Sequence, residues 1–168
     1  MKKVLWVLLA CVAVAAPAAA QSQYQTTFEF GLGYTRPSVE EFDMVSLLMQ
    51  GDDFYFETGL GFRLNAGYGD NNILSWMLRA AARPIVLGNT TVHVGGEFSV
   101  HTNATVRTEN GQQKAKPLIG VGALFGVSHP ITDHFNVEVH VYPLAFDFGG
   151  EKTITKFGVA ETGAHILF

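Results

Sequence analysis

The chain has 168 residues, with 11 Lys+Arg against 15 Asp+Glu, a formal net charge of −4 and a single cysteine. The acidic balance excludes a typical nucleic-acid binder. The one cysteine, Cys11, lies in an apolar N-terminal segment, so disulfide and thiolate chemistry are excluded from the remainder.

That N-terminal segment has three parts. Lys2 and Lys3 form a basic start, Val4 to Ala16 an apolar run, and Ala18-Ala19-Ala20 a small-residue cleavage site. The pattern predicts a secretory signal peptide over 1–20. Leu8-Leu9-Ala10-Cys11 loosely resembles a lipoprotein box, but the apolar run before Cys11 is short and continues past it to the Ala site. Removing the two leader lysines leaves 9 Lys+Arg against 15 Asp+Glu, a charge of −6. The rest, 21–168, is sized for one domain. It contains no run of ~18 apolar residues, so a membrane-embedded form can only be a β-barrel.

From Tyr24 onward the dominant pattern is a period of two, the signature of strands with two unlike faces. The first predicted strand, Tyr24 to Tyr34, puts Tyr24, Phe28, Phe30, Leu32 and Tyr34 on one face and Glu29, Gly31 and Gly33 on the other. Val39 to Gln50 is ambiguous. As a strand it sets Phe42, Met44 and Leu48 against Glu41 and Asp43; as a helix it forms a broad apolar stripe. An even strand count favours the strand.

Phe54 to Ala66 is the clearest element. Phe54, Phe56, Leu60, Phe62 and Leu64 share one face; Tyr55, Glu57, Gly59, Gly61, Arg63 and Asn65 share the other. A face of charges and glycines opposite a face of large apolar groups suits lipid outside and a narrow polar interior. Ile73 to Arg83 then turns Leu74, Trp76 and Leu78 outward, and Ser75, Met77, Arg79 and Arg83 inward. Thr91 to Thr102 turns Val92, Val94 and Phe98 outward, and His93, Glu97, Ser99 and His101 inward.

Asn103 to Lys116 is polar throughout and is expected to be a loop, as are 67–72 and 147–152. Leu118 to Ser128 carries inward glycines. Phe135 to Phe146 turns Asn136, Glu138, His140 and Tyr142 inward, with Pro143 disturbing its far end. The last strand, from Thr153, puts Ala160, Thr162, Ala164, Ile166 and Phe168 on one face and Glu161, Gly163, His165 and Leu167 on the other. Arg83-Pro84-Ile85 and His129-Pro130-Ile131 are echoing turns, each leading into an alternating strand, and are expected at the same end.

The predicted fold is therefore all-β, an eight-stranded antiparallel up-and-down transmembrane β-barrel over 21–168. In these features the chain resembles the small eight-stranded outer-membrane barrels of the OmpA, OmpX and opacity-protein type. The resemblance rests on the leader, the alternating strands and the terminal Phe168 with Ile166 two before it. It implies a Gram-negative outer-membrane location, contact with outer-membrane lipid and lipopolysaccharide, and Ile166 and Phe168 as a signal for the outer-membrane assembly machinery. No cofactor, metal or nucleic-acid partner is expected.

The inward groups Glu29, Glu57, Arg63, Arg79, Arg83, His93, Glu97, Glu138, His140, Glu161 and His165 form the expected interior polar network. Such groups suit a proton path, a metal site or a narrow pore. The simpler reading is a salt-bridged plug, because an eight-stranded barrel is only wide enough for its own side chains. A plugged barrel with a structural or surface-interaction role in its extracellular loops is the expectation. The alternatives are a narrow pore or a lipid A deacylase or acyltransferase, for which Ser99, His101 and Glu97 are the candidate nucleophile, base and orienting carboxylate. Their inward direction and their order argue against that role. His129, Asp133 and His134 read as a polar turn.

Overall fold

The computed structural model describes residues 28–36, 43–66, 69 and 71–168. The expected leader, residues 24–27 of the first strand and residues 39–42 of the ambiguous stretch lie outside the described residues. The strands are β1 (Glu29–Thr35), β2 (Met44–Gln50), β3 (Phe54–Arg63), β4 (Ile73–Leu87), β5 (Thr90–Glu109), β6 (Gln112–Thr132), β7 (Phe135–Tyr142), β8 (Ala145–Phe148), β9 (Ile154–Lys156) and β10 (Val159–Leu167). All pairings are antiparallel, in the order β5-β4-β3-β2-β1-β10-β7-β6.

Two contacts close this sheet on itself. β5 pairs with β6, and β1 pairs with β10 through Gly31↔Leu167 and Leu32↔Ile166. β8 carries the line of β7 onward against β6 after a break at Pro143, where the ring denies the ladder a donor. β9 prolongs the line of β10 against β8. The result is a closed antiparallel barrel of eight strands. Closure removes the open edge that a flat sheet would leave.

Why the wall folds this way follows from the alternation. In β3, Tyr55, Glu57, Gly59 and Gly61 are buried while Phe56, Leu60 and Phe62 are exposed, and Phe54 and Thr58 are half-buried. β4, β5, β7 and β10 repeat that scheme, with charged, small or hydroxyl-bearing groups buried and apolar groups on the outer surface. A smaller apolar cluster of Met44, Ile73 and Met77 fills the lumen where β2 and β4 begin.

The ambiguous stretch is a strand over Met44–Gln50, paired with β1 at Leu32↔Leu47 and with β3 at Leu47↔Thr58. Its two faces follow the strand grouping, with Met44 and Leu48 on one and Asp43 on the other. Met44 and Leu48 point inward and are buried, and Val45 and Leu47 lie exposed on the outer wall. Its inward face mixes Met44 and Leu48 with Ser46 and Gln50, so the contrast between faces is weak and the register of its neighbours sets its parity.

The segment 103–116 is not a loop. β5 and β6 run through it as a hairpin, paired from Thr105↔Lys116 to Glu109↔Gln112, after a register shift between His101 and Thr105. Asn110 (φ 53°) and Gly111 (φ 75°) make its two-residue turn. Positive φ at both positions is what a type I′ turn requires, and Asn-Gly supplies it at least strain. The pairs beyond Thr105 carry the hairpin about 15 Å past the main register. Thr108 Oγ1 donates to Glu151 Oε1 at 2.8 Å and braces it against the connection after β8.

The short turns after β2, β4 and β6 share one end of the barrel, and the longer connections share the other. The echoing Pro-Ile segments both lie at the short-turn end. Each coincides with a register shift, between Ala82 and Ile85 and between Pro130 and Thr132. A bulge is where a ladder tolerates a residue without an N–H.

Glycines set how tightly the lumen fills. A Cβ on Gly126 would lie 2.4 Å from His140 Cδ2. We expect Gly126→Val to lower the unfolding free energy by roughly 1–3 kcal/mol through overpacking. Ala123→Val, on the exposed face of the same strand, should change it by less than about 0.5 kcal/mol. Urea unfolding of the folded protein, followed by tryptophan fluorescence, measures both.

Candidate functional site: the lumen

Arg79 on β4 organises the lumen, and its side chain is fully buried. A guanidinium has five N–H donors in a fixed fork. Here five acceptors surround it. Nε donates to Glu97 Oε2 at 2.8 Å, and Nη1 to Glu57 Oε2 at 2.9 Å and to Thr35 Oγ1. Nη2 donates to Glu161 Oε2 at 3.1 Å and to the Arg36 carbonyl at 2.6 Å. Three of those acceptors are carboxylates drawn from β3, β5 and β10, so one cation ties three staves of the barrel to a fourth.

Tyrosines extend the cluster in two directions. Tyr142 donates to Glu97 Oε2 at 2.6 Å, and its ring stands 5.9 Å from the Arg79 guanidinium carbon. Tyr55 Oη lies 2.6 Å from Glu57 Oε2 and 2.8 Å from Glu138 Oε2. Glu138 accepts also from Asn136 Nδ2 at 3.2 Å. His165 Nε2 is 2.8 Å from Ser46 Oγ and 3.1 Å from Glu57 Oε1.

The remaining imidazoles divide by partner. His101 Nδ1 pairs with Ser75 Oγ at 2.8 Å. His93 and His140 are fully buried, and neither ring nitrogen of either has a hydrogen-bond partner among the described residues. Both pack edge-on to Tyr55, with ring centroids at 4.7 and 5.8 Å.

The expected interior residues thus separate by depth. Glu57, Arg79, Glu97, Glu138, Glu161 and His165 form one bonded centre, with His93 and His140 against it. Glu29 sits exposed at the short-turn mouth, accepting from Gln50 Nε2 at 2.7 Å. Arg83 lies at the same mouth and donates to the Gly51 carbonyl and to Thr91 Oγ1 at 3.0 Å. With Gln50, Asn136 and Thr91 these two line a polar recess of about 380 Å³. Arg63 is exposed at the opposite mouth rather than within the centre.

The candidate catalytic trio does not assemble. Glu97 is engaged by Arg79 and Tyr142, and His101 pairs with Ser75. Ser99 Oγ is buried without a hydrogen-bond partner among the described residues. His129 Nδ1 contacts Thr90 Oγ1 at 2.8 Å and the His134 amide bonds Thr132, as befits a polar turn. Ile166 and Phe168 point outward and are exposed. Sequence reasoning placed Tyr55, Tyr142, Asn136 and Ser75 inward without giving them a role. It missed Thr35 and Ser46, one just past the expected end of its strand and the other on the strand of ambiguous parity.

Charges at the long-connection end are solvated. The Tyr34 hydroxyl and the Arg36 guanidinium, both bonded to Asp43 Oδ1, hold that carboxyl below its usual range. Lys116, 2.9 Å from Glu109 on the hairpin, does the same to Glu109. Exposed pairs of this kind contribute little to stability.

No protein-family model, curated protein or solved structure matches the chain.

Removing Arg79 would strand three buried carboxylates. Arg79→Met should lower the unfolding free energy by roughly 3–5 kcal/mol, the usual effect of breaking a buried ion pair from one side. Arg63→Met, at the exposed mouth, should change it by less than about 0.5 kcal/mol. Urea unfolding of both variants beside the parent decides it.

Proposed function

We propose that this protein is an outer-membrane β-barrel of Gram-negative type, with a plugged lumen and a structural or surface-interaction role carried by its long hairpin end. The observation that carries the reading is the inverted polarity of the wall. Val45, Leu47, Leu60 and Phe62 are each about 60% exposed, while Arg79, Glu57 and His165 are fully enclosed. Water outside would favour the reverse, and a continuous apolar belt on a closed barrel suits acyl chains.

A second feature supports lipid contact. Two polar groups on the outer face, Trp76 and Thr58, are satisfied within the wall. Trp76 Nε1 donates to Thr58 Oγ1 at 3.0 Å, and Thr58 Oγ1 donates to the Met77 carbonyl at 3.0 Å. In hydrocarbon an unpaired donor costs several kcal/mol, so internal pairing is the arrangement a lipid-facing wall needs.

The plug argues against conduction, because Arg79 and its ring of acceptors cross the lumen. The enclosure of Ser99 and His101 argues against action on a lipid substrate. The 103–116 hairpin, with Arg107, Lys114 and Lys116, is the prominent feature for contact outside the barrel and suits anionic lipopolysaccharide.

Four measurements test the proposal together. The purified protein should require detergent and should migrate differently on unboiled gels than after boiling. In planar bilayers it should give no discrete conductance steps, and deletion of its gene should leave lipid A acylation unchanged. A monodisperse protein in plain buffer would overturn the membrane reading. Conductance steps would establish a pore, and an altered acyl pattern abolished by Ser99→Ala would establish an enzyme.

A further inference from the structure

The centre of the lumen holds more buried carboxylates than Arg79 can serve. Glu57, Glu97, Glu138 and Glu161 are all buried, and Arg79 contacts three of them. Glu138 is the one outside its reach. The Tyr55 hydroxyl stands between Glu57 and Glu138 with a single proton, so it donates fully to only one of them. Buried charge of one sign needs a counter-charge.

The groups facing Glu138 are metal-ligand types. Among the described residues, donor atoms of Glu57, Glu138 and His165 all lie within 4.8 Å of one another. His165 Nδ1, which has no hydrogen-bond partner, is 3.6 Å from Glu138 Oε1. An independent feature points to the same place. The His140 ring is fully buried, both its nitrogens lack hydrogen bonds, and its Nε2 stands 3.6 Å from Glu138 Oε2. A buried imidazole without a partner demands an explanation, and a shared ligand supplies one. Donors around a tetrahedral ion sit about 3.3–3.5 Å apart; the two imidazoles each stand 3.6 Å from a Glu138 oxygen, and binding would draw Glu57 and His140 inward around them.

We propose that Glu57, Glu138, His165 and His140 form a lumenal binding site for one divalent first-row transition ion, of the Zn²⁺ class. Two carboxylates and two imidazoles suit such an ion better than Ca²⁺ or Mg²⁺, which favour oxygen donors alone. With Nδ1 as the ligand atom, His165 Nε2–H donates to Ser46 Oγ and orients the ring so that Nδ1 faces Glu138, the usual outer-shell device. Access is from the short-turn end, where Asn136 both lines the 380 Å³ recess and donates to Glu138. The site stands on lumen geometry alone and holds whether or not the barrel resides in a membrane.

The test uses Co²⁺ as a spectroscopic probe on the purified folded protein in detergent micelles. Titration should give visible d–d absorption saturating at one equivalent, and Zn²⁺ should bleach it by displacement. Glu138→Gln and His140→Gln should each weaken Co²⁺ binding roughly tenfold or more. His140→Gln removes no hydrogen bond, so it is the variant least exposed to folding failure, and the unboiled-gel shift verifies each fold. His129→Asn with His134→Asn, on the exposed turn, should leave the titration unchanged. Absence of the absorption in the parent protein would overturn the proposal. So would a spectrum that survives His140→Gln and Glu138→Gln, or one lost in the turn variant, which would place the ion at the surface.

Discussion

One guanidinium inside a closed ring of eight strands is the interaction on which the rest of the structure depends. A ring of this size leaves a lumen just wide enough to be filled by its own side chains. Arg79 occupies it with all five donors engaged, and its acceptors arrive from β1, β3, β5 and β10 and from the backbone at Arg36. Glu57 and Glu97 stand directly opposite Arg79 on the neighbouring strands, but Thr35, Arg36 and Glu161 belong to the far side of the sheet, so those bonds form only when the barrel has closed in the correct register. The centre therefore reports closure as well as rewarding it.

Crowding around that centre explains the distribution of glycine. Gly126 leaves room for His140, and Gly33 admits the His165 ring, where a Cβ would come within 2.4 Å. Large inward groups on one stave face hydrogen atoms on the next. The outer wall obeys the opposite logic: its branched and aromatic side chains need no partners inside, and Trp76 bonds within the wall to Thr58. Strand alternation links the two surfaces, since each inward charge fixes an outward apolar neighbour.

How much of this was legible depended on the contrast within each strand. Phe54 to Arg63 alternates apolar groups with charges and glycines, so its facing could be read directly, as could Glu97 on β5 and Glu138 on β7. Met44 to Gln50 carries Met44 and Leu48 on the same face as Ser46 and Gln50, so its contrast is weak and the ladder with Leu32 and Thr58 settles its parity. The 103–116 segment is polar throughout, and polarity alone does not separate a solvated hairpin from a loop. Asn110-Gly111, between Thr105-Val106-Arg107 and Lys114-Ala115-Lys116, was the informative cue, because it encodes a tight turn. Depth along the axis was not legible. Arg63 and Glu57 share a face, yet one lies at the mouth and the other in the centre, and which carboxylates meet Arg79 depends on the stagger between strands.

The Arg79 centre acts as one unit. A double-mutant cycle with Arg79→Met and Glu97→Gln measures this directly, from unfolding free energies of the parent, both single variants and the pair. If the centre is a unit, removing both partners should be less damaging than the two losses added, with a coupling above about 1 kcal/mol. Additivity within about 0.5 kcal/mol would contradict the account.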